Sequence, residues 1–169
     1  LNLEGIIGKK KTSIYESRRS SNWVKIKTRA RQEVLICGFT SPRGAREKFG
    51  ALIAGIYNEK KELLFAGHVG GGFNVTLLHD VYKKLKPLIV KKCPFKEKPD
   101  VNMPVTWVKP KLIMEVAFSE WTKDHRMRHP VFQGLREDKE PKSIRQEIPK
   151  KMLNNDFKGL NLTNLEKNY

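Results

Sequence analysis

The sequence predicts a mainly β protein: a five-stranded Greek-key barrel with one helix between its third and fourth strands, preceded by two terminal strands of a separate unit. Three observations carry this. β-rich runs at residues 34–39, 49–57, 63–69, 112–118 and 127–135 are bounded by turn-forming residues. One stretch, residues 75–90, places Val75, Leu78, Tyr82, Leu85 and Ile89 at steps of three and four, the spacing of a single helix face. Two short apolar runs, around Ile6 and around Val24, precede the first of the five across a polar, Arg-rich link.

In the opening run Gly5 and Gly8 bracket Ile6 and Ile7, which suits a short buried strand with Glu4 and Lys9 at its polar ends. Glu4 reads either as a surface carboxylate or as a group facing a bound metal. In Trp23-Val24-Lys25-Ile26-Lys27 a period of two puts Trp23, Lys25 and Lys27 on one strand face and turns Val24 and Ile26 toward a core. Two ammonium groups on one strand face, about 7 Å apart by the strand rise, make a compact anion site that suits a phosphate. The plainer alternative is a solvated edge strand, since edge strands carry lysine to block aggregation.

The barrel follows. Thr40-Ser41-Pro42-Arg43-Gly44 is a turn after the first strand, and Asn58-Glu59-Lys60-Lys61 is a hairpin turn between the second and third. The small residues Gly50, Ala51, Ala54 and Gly55 in the second strand indicate close backbone approach or strong curvature. Gly70-Gly71-Gly72 breaks the chain before the helix. No Gly-Lys-Ser/Thr follows, so this is not a P-loop but a strand-to-helix corner. Asn74 or Thr76 can cap the helix. Residues 91–105 read as a Lys- and Pro-rich loop leading through Trp107 into the fourth strand. Thr122-Lys123-Asp124-His125 is a turn, and Pro130 marks the fifth strand as an edge or a bulge. Residues 139–158 read as a charged linker. Five strands with a helix between the third and fourth is the layout of an OB-fold, a partly open barrel that often binds nucleic acid.

Composition narrows the partner. The 169 residues hold 34 basic and 18 acidic side chains, a net charge of +16, which points to a polyanion, most simply nucleic acid. No run approaches 18 apolar residues, so no membrane span is expected. Cys37 and Cys93 lack metal-ligand spacing and read as ordinary thiols in a reducing compartment. The chain opens without Met, inside what looks like a motif, and is read as a fragment of a longer protein.

Three segments in order resemble the covalent nucleotidyltransferases: Glu4-Gly5-Ile6-Ile7-Gly8-Lys9 their motif IV, Trp23-Val24-Lys25-Ile26-Lys27 their motif V, and Arg136-Glu137-Asp138-Lys139 their motif VI. The order and spacing resemble ATP-dependent DNA ligases. The stretches at 49–52, 67–73, 115–122 and 128–136 resemble the ligase domain of bacterial ligase D, which joins ends in nonhomologous end joining. Residues 160–167 resemble the opening of the polymerase/primase domain of the same multifunctional proteins; a disordered polar tail is the alternative. The family's nucleophile is the lysine of a Lys-x-Asp-Gly motif, and this chain contains none.

The resemblance implies residues 1–29 as the end of an adenylation domain, 30–145 as the OB domain and 146–169 as a linker. It implies that Glu4 binds Mg²⁺ or Mn²⁺, and that Lys9, Lys25 and Lys27 contact ATP, the last two at the α-phosphate. It implies that Arg136, Asp138 and Lys139 orient the pyrophosphate and then swing away about a hinge at residues 28–32. The expected partners are nicked or broken double-stranded DNA, Ku, and a polymerase/primase domain in the same chain, in a cytoplasmic, DNA-associated setting. Arg43, Arg46, Lys91 and Lys92 are the candidate DNA contacts. An RNA-capping guanylyltransferase and a non-catalytic DNA-binding OB module are the rival readings; the ligase-D-like stretches weigh against the first, and motifs IV and V against the second.

Overall fold

The computed structural model describes residues 5–18, 20–27, 29–44 and 46–146, and of residues 25–27 the backbone alone. Glu4, Thr28 and the tail from 147, including the polymerase-like 160–167, lie outside the described residues.

β1 (Gly5–Lys9) and β2 (Trp23–Lys27) form a two-stranded antiparallel sheet of their own. The larger sheet contains β3 (Ala30–Thr40), β4 (Leu52–Tyr57), β5 (Leu63–Val69), β6 (Ile89–Val90), β7 (Val105–Val108), β8 (Ile113–Phe118) and β9 (Val131–Arg136). β3 is the spine. One edge pairs with β4; the other is shared, its first half with β8 and its last residues with β7. β4 pairs with β5 and β8 with β9, all antiparallel. The circuit β5-β4-β3-β8-β9 closes through a parallel bridge from Gly71, just past β5, to Val131, where Phe132 N–H donates to the Gly71 carbonyl at 3.0 Å. One bridge in place of a full ladder is what leaves this barrel partly open. The order is that of the expected OB-fold.

The barrel is filled by Val34, Leu35, Ile36, Leu52, Ile53, Val69, Ile113, Met114, Val116 and Phe118, all buried. α1 (Val75–Leu85) closes one end with Leu78, Val81 and Leu85. Its N-terminus is capped by Asn74, whose Oδ1 accepts from Leu77 N–H at 2.8 Å. An aromatic chain seals the joint: Tyr82 and Phe49 on Phe39, Phe49 on Phe73, and Phe73 stacked on Phe132 at 4.6 Å.

Several expectations are corrected. The helix does not reach residue 90: Pro87 forms a 3₁₀ turn (Lys86–Leu88), and Ile89, expected on the apolar face, enters β6 and is exposed. Val75 is exposed too, and Val81 takes the buried place instead. The second strand starts at Leu52, with Phe49 buried in the preceding turn. The stretch expected to lead into the fourth strand makes a separate strand, β7, bent away from β8 at Lys109–Leu112, so the sheet has seven strands rather than five. The last strand spans Val131–Arg136 rather than 127–135. Residues 140–146 are not a loose linker. Ile144 is buried, its carbonyl accepts from Tyr57 N–H, and the Arg145 guanidinium lies over the Tyr57 ring. β1 and β2 are not buried: Ile6 and Ile7 are about three-fifths exposed, and Val24 is 56 % exposed.

Candidate nucleotide and DNA contacts

The hairpin register sets Gly5 opposite Lys27, Ile7 opposite Lys25 and Lys9 opposite Trp23. Directly opposed residues share a sheet face. The Lys9 ammonium accordingly lies 4.1 Å from the centre of the Trp23 ring, and Tyr15 meets that ring edge-on at 5.3 Å. A cation over an aromatic face is held electrostatically, by roughly 0.5–1 kcal/mol where exposed. Lys25 and Lys27 stand two apart on β2, so the hairpin carries all three expected nucleotide lysines on two paired strands. Among the described residues no group of three His, Cys, Asp or Glu side chains could hold a metal ion. With Glu4 outside them, no step below is routed through a metal.

The second group sits where β3, β8 and β9 run side by side. Arg136, the last residue of β9, makes a paired contact with Asp138, Nε to Oδ1 at 2.9 Å and Nη2 to Oδ2 at 2.8 Å. Its Nη1 reaches Glu115 Oε2 at 3.1 Å and stands 3.8 Å from Glu33. Lys139 Nζ donates to Glu33 Oε2 at 2.6 Å, and Arg31 Nη1 donates to Glu115 Oε1 at 2.9 Å. Lys84 on α1 pairs with Glu137 at 2.6 Å. The hydrogen bonds from Arg136 pull the Asp138 carboxyl down to about 2, and Arg31, then Arg136, hold Glu115 below the ordinary glutamate value.

Arg136, Asp138 and Lys139 are therefore brought together, but each is occupied. Arg31, Glu33 and Glu115 were not foreseen. The available signals were a charged pair two apart opening a strand and one carboxylate inside an otherwise apolar strand. The expected hinge at 28–32 is too long: Ala30, Arg31 and Gln32 already belong to β3, and buried Gln32 donates to the Arg145 carbonyl.

Of the candidate DNA contacts, Arg43 is exposed in the turn after β3, and Lys91 and Lys92 are exposed just past β6. Through β7 these are at the Thr40 end of β3. Glu33 is seven residues back along the same strand, about 23 Å away at the usual rise. Arg46 departs from its group: its guanidinium donates to the Gly50 carbonyl at 2.6 Å and covers the Phe73 ring at 5.6 Å, which braces the turn.

A partly open five-stranded circuit with a helix at one end and an Arg-x-Asp-Lys group leaving its last strand defines the OB module of a covalent nucleotidyltransferase. The family model described as the ATP dependent DNA ligase C terminal region matches residues 45–139, and the chain belongs to that family. It is 42 % identical over 153 residues to the multifunctional non-homologous end joining protein LigD of Pseudomonas aeruginosa, covering 88 % of this chain and 18 % of that one. It is similar to the crystal structure of the ligase domain from M. tuberculosis LigD, with a TM-score of 0.67, 37 % identity, and coverage of 85 % of this chain and 48 % of that one. A mycobacterial DNA ligase D complexed with ATP and MES gives a TM-score of 0.59 at 38 % identity, covering 85 % of this chain and 47 % of that one. The chain thus spans about a fifth of the curated relatives it matches. The expected fold and family are borne out.

Proposed function

We propose that this chain is the C-terminal part of an ATP-dependent DNA ligase that seals 5′-phosphate/3′-hydroxyl breaks in nonhomologous end joining. The division is residues 1–29 as the end of the adenylation domain and 30–145 as the OB domain. Catalysis is phosphoryl transfer, in which the protein positions groups and stabilises charge. A lysine elsewhere in the parent protein attacks the α-phosphate of ATP and pyrophosphate leaves. The adenylate passes to a DNA 5′-phosphate, and a 3′-hydroxyl displaces AMP. Lys25 and Lys27 neutralise the α-phosphate, with Lys9 beside it. Arg136 and Lys139 hold the departing pyrophosphate, and Asp138 keeps the Arg136 guanidinium planar and aimed. Mg²⁺ or Mn²⁺, with Glu4 as a ligand, would offset phosphate charge. Nicked or broken duplex DNA is the substrate; Ku and a polymerase/primase domain fit as partners in such a protein.

The observation that carries this reading is the separation along β3. The Arg136 group is at one end and the free cations Arg43, Lys91 and Lys92 are at the other. One rigid barrel cannot present both ends to the same nucleotide, so nucleotide activation and DNA clamping require two orientations of the barrel. The test is chemical. The 169-residue chain, which has no Lys-x-Asp-Gly, should form no covalent adduct with labelled ATP and magnesium, while the longer protein that supplies that lysine should. A label on the chain alone that survives denaturation would sink the reading. Labelling of the longer protein by GTP but not ATP would turn it to an RNA-capping enzyme.

A further inference from the structure

The Arg136 group has an occupant of its own making. Glu33 and Glu115 are directly opposite each other across β3 and β8. Like charges in that relation destabilise a sheet. Both side chains are also largely withdrawn from water, at 12 % and 18 % exposed. Such a pair persists only with cations on it, and three arrive: Arg31, Arg136 and Lys139. Counting Asp138, three cations meet three anions.

The three cations are not equivalent. Arg31 is on β3 beside Glu33 and moves with the barrel wall, whereas Arg136 and Lys139 belong to the segment that the ligase reading assigns to pyrophosphate. On β9, Gly134 stands opposite Glu115 with open space where a Cβ would be, so nothing at that position stands between Arg136 and the carboxylate. Glu115 keeps Arg31 if Arg136 leaves. Glu33 is bridged here by Lys139 and Arg136 alone among the ion pairs of the described residues.

We propose that Glu33 and Glu115 form an anionic dock on the barrel wall that holds Arg136 and Lys139 when the barrel is turned to DNA, and competes with the triphosphate for them. The dock makes Glu33 and Glu115 positioning residues: they touch no substrate, and they set how readily the cations are given up. This rests on the ligase reading of Arg136. A carboxylate pair and a polyphosphate are chemically alternative partners for the same guanidinium and ammonium, both bound by charge-assisted hydrogen bonds. Docking therefore weakens ATP engagement and favours the turned-away orientation, with Glu33 having the larger share.

The experiment uses the longer protein that carries the nucleophilic lysine and reads two steps. In self-adenylation, Glu33→Gln should lower the KM for ATP three- to tenfold with kcat within twofold. Glu115→Gln should move it the same way by less, since Arg31 is retained. In single-turnover sealing of a pre-adenylated nick, which consumes no ATP, neither variant should be faster than wild type. Thermal melts check that the variants fold; should Glu33→Gln not fold, Glu115→Gln carries the test. An unchanged or raised KM in folded variants, or equal acceleration of both steps, overturns the dock. Arg136→Ala separates the two ideas. If it slows adenylation while Glu33→Gln leaves KM at the wild-type value, the dock alone fails. If Arg136→Ala adenylates normally, the role given to Arg136 fails, and the dock with it.

Discussion

Gly72 lies against the backbone of Phe132: a Cβ placed on it would stand 2.3 Å from the Phe132 carbonyl oxygen, and its φ of +92° is one that L side chains rarely adopt. The triple glycine thus has a mechanical reason. It brings the chain past β9 closely enough for the Gly71–Phe132 hydrogen bond that closes the barrel. Gly72→Ala should cost roughly 2–4 kcal/mol through overpacking and backbone strain. Gly71→Ala, whose Cβ would meet only Val131 Cγ2 at 3.8 Å, should stay within about 0.5 kcal/mol. Urea midpoints of the two variants check this, and equal losses would refute it.

The carboxylates of the β3–β8–β9 cluster set an acid limb. Glu115 is held below the ordinary glutamate value by Arg31 and Arg136, and Asp138 is drawn to about 2 by Arg136. Groups whose folded values are depressed stabilise above their unfolded values, and that stabilisation drains as pH falls through the folded ones. Stability should therefore decline from about pH 4.5 downward, with the Arg136–Asp138 contact the last to go, near pH 2. Glu115→Gln should flatten the upper part of that decline. Urea midpoints at pH 6 and pH 3 measure it; an unchanged slope in the variant would remove Glu115 from the cause.

The barrel was legible because its inner face is written in runs such as Val34-Leu35-Ile36 and Leu63-Leu64-Phe65. The first half of β3 was not, because Ala30-Arg31-Gln32-Glu33 carries the ion cluster and has no apolar period to read. β7 was missed because only four residues separate Pro104 from Lys109 and Pro110. The helix end was misplaced because Ile89 continues the apolar spacing past Pro87, which ends the α-helix. Arg136, Asp138 and Lys139 could be named from their motif. Their partners could not: Glu33 is 106 residues from Lys139, and only the strand register brings them together.

Lys25 and Lys27 test the hairpin. In the longer protein, Lys27→Ala removes a cation from a phosphate in transfer, and one such donor is worth roughly 10²–10³ in rate. Single-turnover sealing of a pre-adenylated nick should fall by that much, and Lys25→Ala should act similarly. Near-normal sealing would return both lysines to the role of a solvated strand edge.

DNA binding should divide the four surface cations three to one. The net charge of +16 supplies a counterion-release term, and contacts to phosphates and sugars bind without reading sequence. Affinity for a nicked duplex should therefore fall with salt by about 0.9 log unit per log unit of salt for each phosphate neutralised. Arg43→Ala, Lys91→Ala and Lys92→Ala should each reduce that slope by up to one such increment and leave the melting temperature unchanged, since all three are exposed. Arg46→Ala should behave differently. Its guanidinium holds the Gly50 carbonyl and covers Phe73, so its loss should lower stability by about 1 kcal/mol or more and leave the salt slope nearly as it was. Fluorescence anisotropy across a salt series, paired with thermal melts, separates the two classes. A flat salt response, or binding confined to one sequence, would take the DNA clamp away from this barrel; a full increment lost on Arg46→Ala would return that residue to the DNA-contacting group.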